Sequence, residues 1–286
     1  MQIIEQVAIS NCTLWTVRQS SGPALVCCHG GPGLWDYLEP VAEMVEDLAT
    51  VYRYDQRACG RSTGAVTYDL ATAVADLEAL REHWGFADWI VLGHSFGATL
   101  ALAYVLAYPA RTRALIYLSG TGIDPTWHDA YRANEATLFT ADEQRQLKEL
   151  KARVALAQGE EAIALNRRYC ELSWSIDIAD RQRGRELVRQ LFVADFLPNY
   201  QLNKVLGKDA DRFAENPQTK AALADLAVPT LVIHGDADPR PASSAQQLAA
   251  VLPDAQFALL SGVGHLPWLE RSELLSTVLR DFLARL

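Results

Sequence analysis

The chain has 286 residues, 50% of them hydrophobic, and carries a formal net charge of −9 at pH 7. That length and apolar content suffice for one large α/β core with an insertion. The acidic balance argues against nucleic acid, which is bound through basic patches, and against an anionic membrane surface.

In chain order, segments 3–9 and 13–18 predict two strands forming a hairpin at a sheet edge. Strands and helices then alternate: strand 24–28, helix near 36–48, strand 50–54, helix near 68–84, strand 89–93, helix 95–107 and strand 114–119. This is the βαβ rhythm of a parallel sheet covered on both faces. Pro109 closes the 95–107 helix. The rhythm stops near Gly122. From Ile123 to about Pro217 no buried strand is evident, and Ala, Leu, Arg, Glu and Gln recur at helical spacing, as in Glu143-Gln144-Arg145-Gln146-Leu147-Lys148-Glu149-Leu150. The alternation resumes at Pro229. The expected organisation is an α/β core at 1–122 and 217–286 with an all-helical cap at 123–216, lying over the C-terminal rim of the sheet.

The 3–9 strand's upstream residues, Met1-Gln2, lead no basic region followed by a long apolar stretch, so no signal peptide is expected. No apolar run reaches bilayer length. The five cysteines, Cys12, Cys27, Cys28, Cys59 and Cys170, show neither paired spacing nor a C-x-x-C motif. The expectation is a reduced, cytoplasmic protein with no metal. Cys59, near the rim, is read as a buried structural thiol.

Gly93-His94-Ser95-Phe96-Gly97 reads G-x-S-x-G between the apolar run Trp89-Ile90-Val91-Leu92 and the helix former Ala98-Thr99-Leu100-Ala101. A serine on a sharp strand-to-helix turn is held above the sheet edge, with the positive helix N-terminus behind it. Its hydroxyl is a weak nucleophile and needs a base, which in turn needs an orienting acid. Downstream, strand Pro229-Thr230-Leu231-Val232-Ile233-His234 runs into Gly235-Asp236-Ala237-Asp238, where Asp236 and Asp238 are rival acids. Then Phe257-Ala258-Leu259-Leu260 leads into Ser261-Gly262-Val263-Gly264-His265, a glycine-rich loop suited to placing an imidazole. His29, His94 and His234, at strand ends, are read as packed rim residues, and His83 and His128 have no supporting context. Two backbone N–H groups should hold an oxyanion: that of Phe96, and that of Gly31 in the loop His29-Gly30-Gly31-Pro32-Gly33 after strand 24–28.

These motifs resemble the α/β-hydrolase superfamily and, within it, the proline iminopeptidase-like serine aminopeptidases. The likeness rests on His29-Gly30-Gly31-Pro32-Gly33, Asp55-Gln56-Arg57-Ala58-Cys59-Gly60-Arg61-Ser62, Gly93-His94-Ser95-Phe96-Gly97, His234-Gly235-Asp236-Ala237-Asp238 and Gly264-His265. The resemblance implies a mostly parallel eight-stranded α/β-hydrolase sheet with helices on both faces. It also implies a catalytic order of Ser95, Asp238 and His265, Asp238 being the last aspartate of its motif. No cofactor is implied.

Asp55 and Arg57 are expected to pair with each other and to hydrogen-bond loop backbone. In the cap, Trp127, Tyr131, Phe139, Tyr169, Trp174, Phe192, Phe196 and Tyr200 divide between interhelical packing and an apolar pocket. The group holds its substrate's free amino group with cap carboxylates, and Glu171 is the candidate here, with Asp177 and Asp195 as rivals. The implied activity is release of an N-terminal residue from a small peptide. The alternatives are an esterase, lactonase or amide hydrolase on a small apolar metabolite, and a catalytically silent ligand-binding protein on the same fold. The expected partner is a small molecule or short peptide, with neither nucleic acid nor membrane.

Overall fold

The computed structural model describes residues 2–286, so Met1 of the N-terminal segment lies outside the described residues. Strands β1 (Ile3–Ile9), β2 (Cys12–Gln19), β3 (Ala24–Cys28), β4 (Thr50–Tyr54), β5 (Trp89–His94), β6 (Thr112–Leu118), β7 (Thr230–Gly235) and β8 (Ala255–Leu260) form one eight-stranded sheet. Their order is β1-β2-β4-β3-β5-β6-β7-β8. The β1–β2 hairpin and the β2–β4 pair are antiparallel; every later pairing is parallel. Strands β3, β5 and β7 are buried at every position, as unbroken apolar runs must be when helices cover both faces. Exposed apolar side chains such as Ile4 and Leu259 sit on the edge strands β1 and β8.

Helices α1 (Glu39–Glu43), α2 (Leu70–His83) and α3 (Phe96–Ala107) fall between the early strands. Between β6 and β7 the chain is helical without a strand: α4 (Trp127–Leu138), α5 (Ala141–Val154), α6 (Gly159–Trp174), α7 (Gly184–Val188), α8 (Tyr200–Glu215) and α9 (Pro217–Ala224). Helices α10 (Ala242–Val251), α11 (Pro267–Glu270) and α12 (Ser272–Leu283) complete the chain. One core layer joins Val91, Leu77, Leu100 and Tyr104. The other joins Leu92, Val41, Ile116 and Leu279 on the opposite face. The inserted helices carry a small core of their own, with Phe139, Leu150, Leu165, Leu172 and Ile176. Local signals start several helices: the Asp69 side chain accepts from Thr72 N–H at the head of α2, and Thr140 and Glu143 form a capping box on α5.

Two expectations are corrected. The helix near 36–48 shrinks to Glu39–Glu43. Upstream, Asp36 N–H is drawn to Asp55 Oδ1 at 2.7 Å and Trp35 Nε1 to the Leu191 carbonyl at 2.7 Å, which holds this stretch off helical geometry. Downstream, Val45 N–H and Leu48 N–H bond three residues back, to Ala42 and Val45, in tight turns. Nor do Asp55 and Arg57 pair with each other. Arg57 grips Asp76 of α2 (Nε–Oδ2 2.8 Å, Nη2–Oδ1 2.5 Å). Asp55 binds Arg61 instead (Nε–Oδ2 2.6 Å, Nη2–Oδ1 2.9 Å).

The Asp55 carboxylate is fully buried and also accepts from Asp36 N–H and Arg61 N–H, both at 2.7 Å. Its acceptor sites are thus filled by the loop it organises. Removing one partner of a buried ion pair strands the rest, at a cost of about 3–5 kcal/mol. Asp55→Ala should therefore lose stability of that order in urea unfolding; a loss under about 1 kcal/mol, the size of an exposed pair, would refute the reading.

Candidate active site

The site is built at the carboxyl ends of β3 and β5. These strands are parallel neighbours, and Cys28 stands opposite Gly93 in their register. The loops that follow therefore leave the sheet side by side, at the point where strand order runs outward in both directions, β4 on one side and β6 on the other.

Ser95 sits between β5 and α3 at φ 57°, ψ −122°, a strained conformation for a residue with a side chain. Its N–H is tied to the Leu118 carbonyl of β6 at 3.0 Å. The turn closes because its flanking residues lack Cβ atoms: one on Gly93 would lie 2.0 Å from the Gly97 carbonyl oxygen, and one on Gly97 would lie 2.0 Å from that of Cys28. Phe96 opens α3, so its N–H has no carbonyl to bond within the helix.

Asp238 follows β7 and is buried. Its Oδ2 lies 2.6 Å from His265 Nδ1. Its Oδ1 accepts from Arg240 N–H at 2.8 Å. Burial acts to raise the Asp238 carboxyl, but the adjoining, hydrogen-bonded His265 and the charge of Arg240 outweigh it and hold the group well below the usual carboxylate range. Asp236 is exposed and turns to the neighbouring loop, where it accepts from Gly262 N–H at 2.7 Å and Ser261 Oγ at 3.0 Å. Ser95 and His265 line one recess of about 70 Å³, together with Asp177 and Arg240.

Gly31, at φ +131°, borders that recess. It also borders a chamber of about 230 Å³ that Ser95 and Phe96 share. A larger cavity of about 790 Å³ lies among the inserted helices and meets the other two at Gly31 and Arg240. Tyr131, Tyr169, Trp174 and Tyr200 line it. Phe139 is instead buried in the insertion's own core, and Phe196 packs on Trp35 at 5.9 Å.

The three carboxylates singled out from sequence are placed differently. Glu171 is held by Arg189 in a two-point ion pair (2.9 and 2.6 Å) and does not border these cavities. Asp195 pairs with Arg167 at 2.8 Å on the surface. Asp177 does face the site, with Oδ1 2.7 Å from Arg240 Nη1. A further acid, Glu135 of α4, was not singled out from sequence. It borders the large cavity, and its side chain has no hydrogen bond or ion pair among the described residues. Arg240 was missed as well, although it lies two residues beyond Asp238; it borders all three spaces and lies 4.9 Å from the Tyr131 ring centroid. All five cysteines are unpaired and buried, and burial raises the Cys59 thiol. Among the described residues no cluster of His, Cys, Asp and Glu could hold a metal, and no helix is long and apolar enough to cross a membrane.

The sequence profile of the alpha/beta hydrolase fold matches residues 23–272, and the chain belongs to that family. It is a hydrolase similar to proline iminopeptidases. It is 26% identical to the proline iminopeptidase of Lactobacillus helveticus over 288 aligned residues, 93% of this chain and 91% of that one. Among solved structures, the 2-hydroxy-6-oxo-6-phenylhexa-2,4-dienoate hydrolase of Rhodococcus sp. strain RHA1 superposes with a TM-score of 0.74 at 19% identity, covering 99% of each chain. The proline iminopeptidase of Mycobacterium smegmatis gives 0.67 at 20% identity, covering 99% of this chain and 98% of that one. At those identities the structural likeness speaks to fold alone.

His29, His94 and His234 surround the site, and burial holds each below the ordinary imidazole pKa. In the unfolded chain each takes up a proton as pH falls through about 6.5, which the folded chain refuses until lower pH. Their stabilising contribution is present above that value and drains away below it. Urea unfolding should show stability falling as pH drops from 7 to 5.5. A flat profile over that window would contradict the neutral, buried state of these rings.

Proposed function

We propose that the chain is a serine hydrolase acting through an acyl-enzyme, and that it releases an N-terminal residue from small peptides. Ser95 Oγ attacks the acyl carbonyl. His265 takes its proton and returns it to the leaving group, while Asp238 fixes the imidazole tautomer and stabilises the imidazolium. The N–H groups of Gly31 and Phe96 hold the tetrahedral oxyanion. Water releases the acyl group by the same route. Residues 123–216 act as a cap that closes the cavity over Ser95, and no cofactor takes part. The observation that carries the peptidase reading is the near full-length similarity to proline iminopeptidases.

The free amino group of such a substrate needs an anion. Glu171 is already neutralised by Arg189, and Asp177 by Arg240. Glu135 is a carboxylate on the cavity wall with no ion pair among the described residues, although Lys151 lines the same cavity, and we assign the ammonium to it. The Tyr131, Tyr169 and Trp174 rings that line the same cavity supply the apolar wall for the released residue.

Ser95→Ala should cost on the order of 10⁴–10⁶ in kcat while leaving the fold intact, as expected for a triad nucleophile. A fluorophosphonate should add to Ser95 in the unaltered protein by mass spectrometry. Asp238→Asn should be far more damaging than Asp236→Asn; equal losses would assign the wrong acid.

A panel of aminoacyl-naphthylamides and p-nitrophenyl esters tests specificity. A hydrogen bond to a charged group is worth about 1.5–3 kcal/mol, so Glu135→Gln should slow free-amino substrates about ten- to a hundredfold in kcat/KM. Esters of similar size should be spared, and Glu171→Gln should change neither. If the unaltered enzyme turns over N-acetylated or plain alkyl esters as well as free-amino substrates, the peptidase reading fails and the esterase or amide-hydrolase alternative replaces it.

A further inference from the structure

Beneath the site, two buried side chains outside the proposed chemistry join the three loops that carry it. Gly30 N–H donates to Tyr37 Oη at 2.8 Å. Tyr37 Oη lies 2.7 Å from His94 Nδ1. His94 Nε2 lies 2.9 Å from the carbonyl oxygen of His265. Tyr37 is 8% exposed and His94 1%.

Chemistry fixes the direction of every proton in this chain. A carbonyl can only accept, so His94 Nε2 carries the hydrogen. Nδ1 of the neutral ring is then an acceptor, and Tyr37 O–H must donate to it. The Tyr37 lone pair in turn takes the Gly30 N–H, which can only donate. Each buried polar group is satisfied in this one arrangement, and reversing any link strands a donor or an acceptor. Burial, and the charge His265 carries when protonated, depress the His94 pKa well below its ordinary value, so the ring stays neutral.

We propose that Tyr37 and His94 form a positioning relay that sets the spacing of the oxyanion loop, the nucleophile and the base. Gly30 precedes Gly31, the oxyanion donor; His94 precedes Ser95; and the relay ends on the backbone of His265. The spacing it sets is tight: a Cβ on Gly30 would lie 2.6 Å from Tyr37 Oη and 2.8 Å from Ser95 Cβ. Both rings border the recess that holds Ser95 and His265, but their polar atoms are taken up by the relay bonds. Their effect falls on the step in which a carbonyl must reach Ser95 Oγ and the Gly31 N–H together, where a displacement near 1 Å costs on the order of a hundredfold. The inference rests on the Ser95–His265 reading given above.

Tyr37→Phe is the informative variant, because the ring keeps its stacking on Trp268 at 5.9 Å and only the hydroxyl goes. Fluorophosphonate labelling of Ser95 and turnover of p-nitrophenyl acetate are measured on the whole chain, with Tm recorded alongside. Labelling rate and kcat should fall about ten- to a hundredfold with KM little changed. The Tyr37→Phe/His94→Gln double variant should lose no more than the more damaging of the two single variants, since both cut one chain. A lowered Tm with unchanged labelling rate and kcat, assayed well below Tm, would reduce the pair to packing and overturn the relay. Additive losses would overturn it too. No adduct on the unaltered protein would remove the Ser95 reading, and the relay with it; equal labelling of the unaltered protein and Tyr37→Phe removes the relay alone.

Discussion

The close parallel packing of β3 against β5 is the constraint on which the rest depends. With Cys28 opposite Gly93, the backbone of the glycine loop and that of the serine turn meet within van der Waals distance, and Gly97 rests on the Cys28 carbonyl. A methyl group at Gly93 or Gly97 has no room, so the register and the elbow's composition are one requirement. The same packing places Gly31 and Phe96 on one chamber. The strain at Ser95 persists because β6 and α3 over-determine its position.

Polar contacts fasten the inserted helices to this rim, two groups of them at the loops that carry the site. Asn203 of α8 donates to the Gly31 and Pro32 carbonyls, each at 2.9 Å, and Asn199 N–H donates to the Gly33 carbonyl at 2.8 Å. On the other side, the Asp177 carbonyl accepts from His265 N–H at 2.7 Å. Glu270 bridges Gly264 N–H and Ala179 N–H, both at 2.8 Å. Each fastening holds a loop that carries a proposed catalytic group. A movement of the insertion large enough to break them would disturb the oxyanion loop and the histidine loop together, so the cavity and the chemistry are mechanically one unit.

The alternation of buried runs and helices was readable from sequence because parallel strands covered on both faces leave an unbroken apolar signal, and β3, β5, β6 and β7 all show it. The serine turn was readable because its glycines are demanded by contact. What was not readable was the rotation of each inserted helix about its axis. Glu135 and Glu171 are both acids on amphipathic helices, and sequence spacing does not say which faces a cavity and which meets Arg189 from a different segment. The pairing of Asp55 with Arg61 and of Arg57 with Asp76 escaped for a related reason. Proximity in sequence suggested Asp55 with Arg57, but α2 brings Asp76 against Arg57 from 19 residues away. The Tyr37–His94 link spans 57 residues and leaves no local pattern at all.

Several charged side chains cluster around the proposed base. Asp177 and Asp238 supply two carboxylates, and Arg240, bonded to Asp177 at 2.7 Å and 3.3 Å from Asp238, supplies one guanidinium. Glu270, which accepts from Gly264 N–H at 2.8 Å, adds a third carboxyl beside them. Arg240 pairs with Asp177, and Asp238 is the carboxylate aimed at the imidazole. Glu135 stands apart from this set, on the wall of the large cavity. In the proposed reaction, an ammonium held there would meet a carboxylate other than the one aimed at the imidazole.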